Sequence, residues 1–130
     1  MTKEDDVSFE IAKLLKEKGF DERVDHVYLY FSKDDIRTTE LTYPKKCQSL
    51  KPHSYPHITH QMVMKWLREV HRIDIEVRTH YLNYLKPNDV RYYSGKILKG
   101  SEDVIHTIYA KDTYEEVCEA AIKYSLENLI

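Results

Sequence analysis

Between Thr59 and Leu82 the apolar residues change period without a break, which restricts the chain to folds that mix helix and sheet. Met62, Val63, Trp66, Leu67 and Val70 recur at helical spacing. From residue 73 onward, Ile73, Ile75, Val77 and Tyr81 alternate with Asp74, Glu76, Arg78 and His80, predicting a strand with one wet face. Thr59 is a good N-cap, so a helix is expected from there to about Arg72. A helix that runs straight into an amphipathic strand hides both apolar faces only by sharing one core with a sheet.

The flanks repeat these signals. Val7, Ile11, Leu14 and Leu15 predict a helix over about 4–18, with Thr2 and Asp5 resembling a capping box. Gly19 then supplies a left-handed C-cap and Phe20 its apolar clasp. Residues 25–31 alternate as a strand, with Val27, Leu29 and Phe31 on one face and Tyr28 and Tyr30 on the other. After a turn at 32–35, residues 36–43 predict a return strand. Pro44, Pro52 and Pro56 predict that 44–58 is a loop with no regular element. Residues 87–89 mark a turn, and 91–98 and 104–110 predict two more strands. A last helix is expected from Asp112 or Thr113, packing Tyr114, Val117, Cys118, Ala121, Ile122, Ser125 and Leu129. The expected fold class is α+β in the order α-β-β-α-β-β-β-α, an antiparallel meander packed with two or three helices. One domain spans 1–130, with helix, hairpin and long loop over 1–58 and helix, meander and final helix over 59–130.

Composition narrows the function classes. No apolar run approaches the roughly 18 residues of a membrane helix, and MTKEDDVSFE is acidic with no apolar signal core. Cys47 and Cys118 lie far apart and read as free thiols of a reducing compartment, so a cytoplasmic protein with no membrane partner is expected. Glycine phosphate loops, nucleophile elbows and dinucleotide fingerprints are missing from the sequence. Cys118 falls on a packed helix face. Cys47 stands in a basic loop of the kind that lowers a thiol pKa, without a Cys/His family signature. The expectation is a protein without enzymatic activity or cofactor.

Charge is segregated. The formal net charge is −2, but residues 33–72 carry 8 basic and 4 acidic groups. The 28 residues between Glu40 and Glu69 contain no Asp or Glu. Lys45, Lys46, Lys51, Tyr55 and Thr59 are therefore candidates for an anion site at a helix N-terminus, with phosphate or nucleic acid as ligand; the alternative is a solvated basic loop. His53, His57 and His60, with Cys47 nearby, offer metal-ligand types but no standard zinc spacing, so no metal is assigned. Eleven tyrosines form the third signal. Tyr28, Tyr30, Tyr92, Tyr93 and Tyr109 on predicted strands are candidates for an interface, against ordinary packing with the hydroxyl in water.

Three blocks, VSFEIAKLLKEKGFD, QMVMKWLREVHRIDIEV and DTYEEVCEAAIKYSLENLI, resemble a family of small uncharacterised proteins from Bacteroides, its phages and mobile elements. The layout is more loosely similar to the phage αβα-sandwich domain. The resemblance implies a cytoplasmic phage or mobile-element setting and no chemistry. The family pattern has Gln where this chain has His60, which weighs against a metal role there. The leading expectation is a non-enzymatic protein-interaction or self-association module, with a protein partner or a second copy. The runner-up is nucleic-acid or phosphate-ligand binding through residues 44–68.

Overall fold

The computed structural model describes residues 5–81, 91–100 and 103–130. It is an α+β fold with two three-stranded antiparallel sheets and three helices. Helix α1 spans Phe9–Glu17, and strands β1 (Arg23–Ser32) and β2 (Asp35–Lys46) form a hairpin. A 3-10 turn at Cys47–Ser49 leads to β3 (Ser54–Pro56), which pairs with β1 to complete sheet one in the order β2-β1-β3. Helix α2 (His60–His71) feeds β4 (Ile73–Tyr81), β5 (Arg91–Lys99) and β6 (Val104–Lys111), which form sheet two in chain order, and α3 spans Tyr114–Asn128.

The predicted order holds, with one strand added. Residues 44–58 are not a loop without regular elements: β2 continues to Lys46, and β3 is new. The prolines are accommodated because both strands are edges, where a missing N–H costs no ladder bond. Pro44 also sits in a bulge. Val24 pairs with Lys45 and His26 with Glu40, so residues 41–44 oppose Asp25 alone.

Helix α1 begins later than predicted. Thr2 lies outside the described residues, and the N-cap is Ser8, whose hydroxyl accepts from the Ile11 amide at 3.3 Å. Residues before it are extended and lie along the approach to α2. The Val7 amide donates to Ile58 O at 2.8 Å, and the His60 amide to Asp5 O at 2.8 Å. The other end follows the sequence. Gly19 has φ +87°, the Phe20 amide donates to Leu15 O at 3.0 Å, and Phe20 is fully buried.

Thr59 and Thr113 cap α2 and α3, accepting from the Met62 and Glu116 amides. The buried face of α2 is Val63, Met64, Trp66 and Leu67, whereas Met62 and Val70 are exposed, against expectation. Tyr81 is exposed too, because burial along β4 fades after Val77. Tyr114 is exposed at the rim of the α3 face and Leu129 is half-buried against the core. The 87–89 turn lies outside the described residues. Helix α3 covers one face of sheet two and touches α1 and α2, while α1 lies against β3. One continuous core, from Val7 to Leu126, joins both sheets.

Candidate functional site

Several hollows follow from this layout. One, of about 870 Å³, is the outer face of sheet two, turned away from α3. The pleat puts alternate residues there. Glu76, Arg78 and His80 come from β4, Tyr92, Ser94 and Lys96 from β5, and Tyr109 from β6. Antiparallel register sets His80 opposite Tyr92 and Arg78 opposite Ser94. The His80 ring stacks on Tyr92 at 4.7 Å, and its Nε2 lies 2.6 Å from Ser94 Oγ. Tyr109 is 77% exposed, and Val104 and Ile105 on the same strand are exposed as well. Both charge signs are present: Glu76 and Asp112 against Arg78 and Lys96.

The five candidate tyrosines do not share a face. Tyr28 is buried and its hydroxyl donates to Val7 O. Tyr30 stacks on Phe9 at 5.6 Å, so this pair packs sheet one onto α1. Tyr93 meets Tyr114 on the α3 side of sheet two. Tyr92 and Tyr109 alone among the five line the outer hollow.

The anion candidates are also dispersed. Lys45 and Lys51 border one small cleft, Lys46 a second and Thr59 a third. Tyr55 packs edge-on against Phe9 at 5.2 Å, beneath the ammonium of Lys16. Lys16 Nζ donates to Lys51 O at 2.7 Å and Ser54 O at 2.8 Å, fastening the 47–54 connection to α1. Burial, opposed by the nearby Cys47 thiol, holds the Lys16 pKa below its ordinary value. The helix N-terminus expected to attract a phosphate has carboxylates around it. His60 Nε2 lies 2.9 Å from Glu119 Oε1, and His57 Nε2 lies 2.9 Å from Asp6 Oδ2. Burial raises the Glu119 pKa, but hydrogen bonds from His60 and the Ser8 amide outweigh it and hold the carboxyl below its ordinary value. No local sequence signal announces these carboxylates, because Asp6 and Glu119 arrive from 51 and 59 residues away.

His53, His57 and His60 do not converge, and among the described residues no three His, Cys, Asp or Glu are placed to hold a metal. Cys47 is not the activated thiol of a basic loop. It is fully buried, and desolvation pushes its pKa up to about 11. Cys118 is likewise buried and raised to about 11. Among the described residues no helix is long and apolar enough to cross a membrane. The chain matches no protein-family model, no curated protein and no solved structure.

Proposed function

We propose that the protein is a non-enzymatic interaction module that associates with a second copy of itself through the outer face of sheet two. The observation that carries this reading is the outer face itself, which no described element covers and on which Tyr109 is 77% exposed. An exposed patch that joins apolar side chains to a polar rim fits a protein surface. Its balance of signs favours self-pairing, since in a two-fold arrangement Glu76 and Asp112 of one copy can meet Arg78 and Lys96 of the other. A polyanion would meet carboxylates on the same face, which argues against nucleic acid as the occupant. The resemblance to phage and mobile-element proteins of Bacteroides supplies a cytoplasmic setting for the proposal.

The test is light scattering across concentration, at low salt, with and without a mixed oligonucleotide pool. A mass that doubles with concentration in the native chain, and stays monomeric in Tyr109→Glu, supports the reading. A monomer at every concentration overturns it. A mass gained only with oligonucleotides and lost on adding salt replaces it with nucleic-acid binding.

A further inference from the structure

On sheet one, a cleft of about 180 Å³ opens between β1, β2 and the connection from β2 to β3. Val27, Leu29, Leu41 and Leu50 form its apolar wall. Val27 is fully buried and Leu50 nearly so, while Leu29 and Leu41 are half-buried against the same core. The wall is therefore built by folding and needs no ligand to form it. A cavity of roughly 150 Å³ holds a benzene ring, so this cleft has room for one apolar group of that size.

The rim carries charge of one sign. Lys45 and Lys51 line the cleft, and no Asp or Glu does. Neither ammonium forms an ion pair among the described residues. Carboxylates of the β1–β2 hairpin are placed elsewhere: Asp25 and Glu40 line a different hollow, and Arg37 engages Asp35. An apolar wall with a few convergent polar groups is the usual make-up of a small-molecule site.

Ser54 is a second, independent sign of a ligand. It pairs with Leu29 in the β1–β3 ladder, so its side chain rises on the Leu29 face and into the cleft. The residue is only 8% exposed. Its backbone is engaged: the amide donates to Lys51 O at 2.9 Å, and the carbonyl accepts from Lys16 Nζ at 2.8 Å. Its hydroxyl has no hydrogen-bond partner among the described residues, yet it is not sealed from solvent as His57 Nδ1 is. A hydroxyl on so buried a residue, open only towards the cleft, calls for a partner there.

We propose that the cleft binds a small amphipathic carboxylate. Its apolar group, the size of a phenyl ring or a short branched alkyl chain, lies against the leucine wall. Lys45 and Lys51 hold the carboxylate, and the Ser54 hydroxyl donates to it. Inorganic phosphate is the poorer ligand, because it has no apolar part to place against the wall and would lose hydration there. Lys16, reaching from α1 to both Lys51 O and Ser54 O, fixes the rim in place. The site uses two lysines of the acid-free stretch but not the N-terminus of α2. It lies on the other sheet from the self-association face and does not depend on it.

Such a group belongs either to a free acid or to the C-terminal residue of another chain. Titration of the full chain at low salt with 4-methylpentanoate and with N-acetyl-leucine, read by NMR of the Leu29, Leu41 and Leu50 methyl groups, tests the proposal. The expected result is a saturable shift of those methyls. Binding should weaken roughly ten-fold or more in Lys45→Gln/Lys51→Gln, and by as much for the neutral 4-methylpentanamide. Both lysines are exposed, so the variant keeps the fold. Binding of 4-methylpentanoate at least as tight as that of N-acetyl-leucine identifies a free acid as ligand; tighter binding of N-acetyl-leucine identifies a chain terminus. Shifts that never saturate, that the double variant leaves unchanged, or that the amide or inorganic phosphate reproduces overturn the proposal.

Discussion

Gly95 lies directly against α3 and yields a sharp energetic prediction. A Cβ added there would stand 2.6 Å from Val117 Cγ1. Carbon atoms in contact prefer roughly 3.5–4.0 Å, so Val117 would have to retreat by about 1 Å. Val117 is fully buried in α3, and a β-branched residue in a helix has one strongly preferred rotamer. The helix must therefore shift, at a typical overpacking cost of about 1–3 kcal/mol. Replacing a strand glycine recovers about 0.5–1 kcal/mol of chain entropy, so Gly95→Ala should destabilise by about 1–2 kcal/mol. Val117→Ala alone should cost about 2 kcal/mol, from two lost carbons and the space they leave. The double variant lets the new methyl occupy part of that space. It should be more stable than the sum of the single changes predicts by at least about 1 kcal/mol, above the ~0.5 kcal/mol expected of independent sites. Urea unfolding followed by the fluorescence of Trp66, the only tryptophan, measures all four corners. Additive single effects would refute the contact between helix and sheet on which the reasoning rests.

Three further outcomes are expected. Glu119→Gln should destabilise by about 1–2 kcal/mol at pH 7 by weakening the bridge to His60. Because the folded pKa of Glu119 lies below the ordinary 4.5, its contribution is present above that value and lost as pH falls through the folded one; the acid limb of the stability profile should flatten in the variant. Cys47 and Cys118 should resist a thiol reagent at pH 8 and react together on unfolding; rapid labelling of the native chain would contradict their burial and raised pKa values. Trp66→Ala should cost roughly 3–5 kcal/mol, since the indole packs on Phe20 at 5.2 Å in the core, while Lys45→Ser/Lys46→Ser/Lys51→Ser should move the urea midpoint very little.

Local signals carried most of the element list. The Gly19–Phe20 cap, the Thr59 and Thr113 N-caps and the change of period at Arg72 depend on neighbours within a turn or two, and they could be read from the chain. What escaped was set by partners distant in sequence. Ser8 is a plainer cap than Thr2 with Asp5 promised, and it wins because Asp5–Val7 is held extended by residues 58–60. Pro44 and Pro56 looked like strand breakers because edge position is not visible in one dimension. The tyrosines looked like one face because the strands were read as belonging to one surface, whereas two sheets divide them. The acid-free stretch before α2 suggested an anion site. Folding brings Asp6 and Glu119 against His57 and His60 beside the start of α2, which the local sequence does not announce.

The ties around Asp5–Ser8 also bear on the order in which the chain can become native. Ser8 and Glu119 are 111 residues apart, and so nearly are Lys18 and Ile130, joined through Lys18 Nζ and the Ile130 carbonyl. During synthesis, α1 emerges long before α3 exists to receive it. The side of α1 that meets α3 must therefore wait uncovered until that helix arrives. Closing so long a loop costs entropy that only the finished core returns. A chain arrested before α3 should thus behave as an incomplete folding unit, with sticky surface on α1, rather than as a smaller folded protein.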